Sequence, residues 1–98
     1  MFSSLESSIL IIDLIQKFKI LDERSRVNFI QECEDAFAPF DEESDICSEQ
    51  IISILYHYVN HSFSTLEQDL TNIGEEVGFN TLNTFLRNMI QIYDDLFL

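Results

Sequence analysis

Glycine, proline and tryptophan are almost missing: two glycines, one proline and no tryptophan in 98 residues. Strands joined by tight turns need more punctuation than that, so the composition leans away from an all-β chain and towards helices. Two glycines could hardly build a loop that cradles phosphate through its backbone amides. Basic residues are the second shortage: five Lys and Arg stand against 18 Asp and Glu, a net charge of −13. Such a surface repels nucleic acid and anionic membrane. It attracts a basic partner, such as a protein whose own task is to grip nucleic acid. Cysteine is limited to Cys33 and Cys47, which lack the spacing of a zinc site. The N-terminal Met1-Phe2-Ser3-Ser4-Leu5-Glu6 has no basic n-region, so reduced thiols and a cytoplasmic location are expected. The Asn60-His61-Ser62 sequon means little without secretion. The most apolar run, Ile9 to Ile15, is too short to span a bilayer and contains Asp13, which argues against any membrane span.

What is present is an ample core supply. Hydrophobic residues make up 46% of the chain, including nine Phe and three Tyr. A disordered acidic chain lacks such residues and cannot offset its conformational entropy. The length suits one domain, residues 1–98, and I-, L- and F-rich periodicity divides it into five helical segments. The first runs from about Ser4 to Ile20, opened by a Ser3/Glu6 capping box, with Leu5, Ile9, Ile12, Ile15 and Phe18 in one stripe widened by Ile11 and Leu14. The second follows Asp22, a good N-cap, and runs to Ala38, where Pro39 ends it. Its apolar line is Val27, Ile30, Cys33 and Phe37, with Phe29 and Ala36 alongside.

Asp41-Glu42-Glu43-Ser44-Asp45 reads as a charged loop before a third helix, Ile46 to Asn60, that buries Ile51, Ile54, Leu55, Tyr58 and Val59. The β-branched and aromatic content of Ile51 to Val59 could also favour a strand, but its spacing and the lack of a pairing partner favour helix. Ser64 and Glu67 repeat the capping-box spacing ahead of a fourth helix to Val77, with the stripe Leu66, Leu70, Ile73 and Val77. Gly78 fits a left-handed C-terminal position, and Asn80 caps a last helix from Thr81 to about Phe97. That helix turns Leu82, Phe85, Leu86, Met89, Tyr93, Leu96 and Phe97 inward, with Ile90 and Ile92 beside them. Short helices with short connections predict an all-α fold, a compact four- or five-helix antiparallel bundle.

Charge is distributed unevenly. Lys17, Lys19, Arg24 and Arg26 cluster at the first helix–helix junction, and Arg87 stands alone near the end. From Val27 to Leu86 there is no Lys or Arg, while twelve carboxylates occur, eight of them between Glu32 and Glu49. An ordinary surface mixes both signs because like charges repel. Two readings follow: a face that keeps the protein soluble, or a docking surface whose potential complements a basic cleft. On the second reading Glu32, Glu34 and Asp35 lie on helix two, Asp41 to Asp45 in the loop and Glu49 at the start of helix three. Acids ahead of helix three also favour its positive N-terminal end. Tyr56 and Tyr58 point different ways on a helix, so one is expected in the core and the other exposed; an exposed Tyr56 would be an interface anchor.

Catalytic constellations do not emerge. His57 and His61 share a helix face at a spacing that can hold a metal, but Tyr58 stands where a zinc protease carries Glu, and no third ligand follows. No serine sits in a nucleophile-elbow context, and no carboxylate pair sits in an apolar pocket pattern. Neither an enzyme nor a cofactor is expected.

Three stretches together resemble small acidic bacterial immunity proteins, of the colicin-D type and those encoded beside contact-dependent growth inhibition toxins. They are Leu14-Ile15-Gln16-Lys17-Phe18, the acid-studded Phe29 to Phe37, and Ser48-Glu49-Gln50-Ile51-Ile52-Ser53-Ile54-Leu55. The similarity covers roughly the first 60 residues as helix, acidic loop and helix. It implies an antitoxin that binds a cognate nuclease domain, often a ribonuclease acting on transfer RNA, with carboxylates in place of substrate phosphates. The partner-binding residues it implies are Glu32, Asp35, Asp41, Glu42, Glu43, Asp45 and Glu49; Tyr56 joins them on its expected exposure and not from the resemblance. The last helix is more apolar than the pattern, and would complete the core or form a dimer seam. The tyrosine-tyrosine-proline element of colicin DNase immunity proteins is missing. Two other readings stand beside this one: a viral nucleic-acid mimic that blocks a host enzyme, and a helical adaptor that dimerises through its last helix.

Overall fold

Each helix boundary follows from local chemistry, and the packing then decides which face turns inward. A computed structural model describes residues 4–39, 42–59 and 63–98, with 42–47 described by backbone only. It contains α1 (Ser4–Lys19), α2 (Glu23–Phe37), α3 (Glu42–Tyr58), α4 (Leu66–Val77) and α5 (Phe79–Phe97). There is no strand among the described residues. The all-α, five-helix expectation holds, and Ile51 to Tyr58 is helical.

Asp22 caps α2 as expected: its Oδ1 accepts from the Ser25 backbone N–H at 2.8 Å. That bond to the charged form holds the Asp22 carboxyl below the usual carboxylate range. Arg26 closes the helix before it. Its Nε donates to the Phe18 carbonyl at 3.1 Å and its Nη2 to the Lys19 carbonyl at 3.3 Å. The guanidinium thus binds two carbonyls at the C-terminus of α1, sharing that of Phe18 with the Leu21 N–H, where a cation is also favoured by the helix dipole.

Three boundaries differ from expectation. Glu42 to Asp45 form the first turn of α3 and are not a loop; Asp41 lies outside the described residues. Acidic residues in a first helical turn are stabilised by the dipole, and glutamate is a good helix former, so a charge run without glycine or proline need not be irregular. Helix α4 starts at Leu66 behind Thr65, whose side chain makes no capping bond. The Thr65 hydroxyl is instead hydrogen-bonded to the Tyr58 hydroxyl of α3. Helix α5 begins at Phe79, directly after Gly78, without waiting for Asn80. The Ser3 half of the first capping box lies outside the described residues.

Gly78 is the whole connection between α4 and α5. Its N–H donates to the Gly74 carbonyl at 2.7 Å and its carbonyl accepts from Leu82 at 2.9 Å, so one residue ends one helix and begins the next. Its φ of 86° is positive as expected, but its ψ of 139° is extended and not left-handed helical. A side chain is strained there, so Gly78→Ala should cost about 1–3 kcal/mol. Thermal unfolding checks this, and an unchanged midpoint would refute it.

The stripe on α1 also differs. Ser7, Ile11, Leu14, Ile15 and Phe18 are buried, whereas Leu5 is 70% and Ile9 61% exposed. An isoleucine-rich helix offers two candidate apolar lines, and tertiary partners choose between them. Buried Ser7 donates to the buried Asn83 side-chain carbonyl of α5, and Glu6 pairs with Arg87 one turn further along α5. On α2 the buried line is Phe29, Cys33 and Phe37, with Val27 and Ala36 exposed. The expected inward residues of α3 are all buried; those of α4 are buried except Val77, which is half-buried.

Helix α5 buries Leu82, Phe85, Leu86, Met89 and Tyr93 within the chain's own core. Of its expected inward residues, Phe97 is half-buried and Leu96 exposed. The α5 stripe therefore completes the core. Helix α5 packs on α1, α2 and α4, and α3 packs on α1, α2 and α4. Cross-helix pairs fix directions. Phe29–Tyr93 and Phe37–Phe85 make α2 and α5 antiparallel, and Tyr58–Asp69 with Gln50–Glu76 do the same for α3 and α4. Ser7–Asn83 and Lys17–Asp94 show that α1 and α5 run parallel. Overall dimensions of 33 × 32 × 20 Å correspond to about two helix layers.

Candidate functional site: an acidic groove between α3 and α4

The cations are mostly consumed inside the fold. Lys17 bridges Asp94 at 3.1 Å and Asp13 at 3.8 Å and lies 5.2 Å from the Tyr93 ring centroid. Its ammonium pKa is raised, chiefly by the hydrogen bond to Asp94. Arg87 pairs with Glu6, and Arg26 caps α1. All of this lies on α1, the start of α2 and α5. Among the described residues no ion pair reaches the carboxylates of the 27–86 stretch.

The acids of that stretch fall into two groups. On α2, Glu32, Glu34 and Asp35 are all exposed. They surround buried Cys33, and at ~100° per residue Glu32 and Glu34 leave the helix on opposite flanks while Asp35 points away from the core. Asp35 accepts from Gln31 at 3.0 Å within the same helix. These three therefore ring the outer side of α2 and do not form one tight cluster.

On α3, positions 42, 45, 49 and 56 follow the spacing of one helix face. Glu49 and Tyr56 are exposed on it; the side chains of Asp41, Glu42, Glu43 and Asp45 lie outside the described residues. Tyr56 is exposed and Tyr58 buried, as the two-residue offset requires. Tyr56 keeps one edge on the core, T-shaped against Phe18 at 5.3 Å.

Glu49 opens onto a groove of about 550 Å³ between α3 and α4. Its floor is Ile54, Ile73 and Tyr58, and its rim carries Asp69 and Glu76 from α4 opposite Glu49 and His57 from α3. Tyr58 ties the walls together: its hydroxyl donates to Asp69 Oδ2 at 2.8 Å. Burial pushes the Tyr58 phenol pKa up, and the Asp69 carboxylate adds to that effect, so the phenol stays a neutral donor. Across the groove, Gln50 Nε2 donates to Glu76 Oε2 at 3.5 Å, a long bond. The Gln50 side-chain carbonyl is buried, and among the described residues no donor reaches it. Asp69 and Glu76 carry no special mark in the sequence. They could be found only by noting that 69, 72 and 76 form the polar edge of the α4 stripe and asking which helix that edge faces.

Among the described residues no three of His, Cys, Asp or Glu converge closely enough to hold a metal ion. His57 lies on the groove wall, and His61 lies outside the described residues. Among the described residues no helix is long and apolar enough to cross a membrane.

No protein-family model, curated protein or solved structure matches this chain. The groove offers carboxylates over an apolar floor. That set can receive a cationic, partly apolar group.

Proposed function

We propose that this chain is an immunity protein: an antitoxin that binds a basic toxin domain, in the first instance a nuclease, and blocks its nucleic-acid cleft. One observation carries the reading. Sixty residues from Val27 to Leu86 contain twelve carboxylates and no Lys or Arg, while Lys17, Arg26 and Arg87 are held elsewhere by groups of the chain itself. The negative field of α2, α3 and α4 is thus left unneutralised, at a cost in self-repulsion. Complementary fields speed encounter and set orientation, which is what an inhibitor of a nuclease in the same cell requires. The resemblance to colicin-D-type immunity proteins points the same way. The partner is a protein, and no cofactor, nucleic acid or membrane takes part.

The test is co-expression with the product of the neighbouring open reading frame. The wild-type chain should co-purify with it and relieve its toxicity. A variant with Glu32, Asp35, Asp41, Glu42, Glu43, Asp45 and Glu49 changed to their amides should associate roughly 100-fold more slowly, within the range of electrostatic steering. Its association rate should also lose most of its dependence on salt. An amide variant that binds as fast as wild type at low salt would sink the proposal.

A further inference from the structure

We propose that the α3–α4 groove seats an arginine side chain presented by the basic partner, and so anchors the complex. The inference rests on the reading of the chain as an acidic binder of a basic protein and adds the place and the chemistry of recognition. The groove combines an apolar floor of Ile54, Ile73 and Tyr58 with carboxylates on both walls. Glu49 and Glu76 are exposed, and neither has a cation partner among the described residues. Among the described residues Glu76 receives only the long Gln50 amide bond, and Asp69 is held in place by Tyr58.

Guanidinium fits this inventory better than ammonium does. It carries five N–H donors in a planar fork, enough to serve carboxylates on two walls together. It is also weakly hydrated, so it enters a partly apolar groove at less cost than a lysine head group, and its methylene stem covers the isoleucine floor. The separated carboxylates suit a spread-out cation; they do not converge on a point, which is why no metal cluster forms among the described residues. Tyr58 braces the arrangement: bonded to Asp69 and to Thr65, it fixes the distance between the walls before any ligand arrives.

The experiment is an amide-resolved NMR titration of the full chain, at physiological salt, with an acetylated and amidated tri-arginine peptide. Its tri-lysine and tri-citrulline counterparts serve as controls. Shifts should concentrate at residues 49–57 and 69–76, be weaker with tri-lysine and vanish with tri-citrulline. The double variant Glu49→Gln/Glu76→Gln removes only exposed charge and should keep its helical circular dichroism. It should weaken tri-arginine binding roughly tenfold or more. Shifts centred on α2 that disappear in Glu32→Gln/Asp35→Asn would overturn the groove and leave the acidic-face reading standing. Undiminished binding by the groove variant, tri-lysine binding as tight as tri-arginine, or no tri-arginine binding would also overturn it. Loss of toxin neutralisation is a separate readout, so the immunity reading can fail while the groove still binds arginine.

Discussion

Phe29→Ala should lower the stability of this protein by about 3–5 kcal/mol, the range for emptying a buried phenylalanine site. Phe29 is fully buried and sits where three helices meet: its ring lies 6.3 Å from Phe18 of α1 and 5.9 Å, edge-on, from Tyr93 of α5. Truncation removes the apolar burial and both aromatic contacts at once. A 98-residue domain has a total stability on the order of 5–15 kcal/mol, so the loss is a large share of the whole. In a chain that already carries a charge of −13, little reserve is left. The melting temperature should fall by roughly 15–30 °C. Phe29→Leu should recover much of the loss. Calorimetry or urea unfolding decides it; a change below about 1 kcal/mol would mean that α2 is not seated on α1 and α5 as described.

The second large effect is alkaline. Cys33 is fully buried, and desolvation, helped by the nearby Glu32 and Glu34 charges, pushes its thiol pKa from 9.0 up to about 12. The folded thiol therefore keeps its proton where the unfolded one has lost it. Below about pH 9 both states are protonated and the contribution is complete. Between pH 9 and 12 the unfolded state binds fewer protons, so stability falls as pH rises. The slope from this one group approaches about 1.4 kcal/mol per pH unit, for a total on the order of 4 kcal/mol by pH 12. Tyr58, whose pKa is also raised by burial, acts in the same direction. Urea midpoints of wild type and Cys33→Ala, followed from pH 8 to about 11.5, isolate the thiol, because Tyr58 is common to both. The wild-type curve should descend more steeply; parallel curves would show that Cys33 ionises freely in the fold. The same burial makes Cys33 inert towards thiol reagents until the chain unfolds, since the thiolate is the nucleophile.

The extent to which the site was readable varies from helix to helix. On α3 the inward set Ile51, Ile54, Leu55, Tyr58 and Val59 was plain, because its apolar residues fall on one line with polar residues between them. Glu49 and Tyr56 on the outer side follow from the same register. On α1 the sequence was ambiguous: Leu5 and Ile9 are as apolar as Ile11 and Leu14, and only the bond from Ser7 to Asn83 and the Glu6–Arg87 pair reveal which line faces inward. Polar core pairs of this kind carry no local signature, since serine and asparagine are common on surfaces. The acidic run at 42–45 reads as a loop from its charge density, yet it holds no helix breaker and forms the first turn of α3. Asp69 and Glu76 could not be placed at the site until α4 was known to lie antiparallel to α3.

The sequence alone determined the helical class, most helix limits and the segregation of charge, because these depend on periodicity, caps and counts of residues along the chain. Tertiary structure decided which of two apolar lines on α1 is core, that α1 and α5 run parallel, and that carboxylates from α3 and α4 face each other across one groove. Those outcomes depend on contacts between residues such as Gln50 and Glu76, 26 positions apart, or Ser7 and Asn83, 76 apart. No local propensity encodes such pairings; they are selected by the total burial and hydrogen bonding of the packed chain.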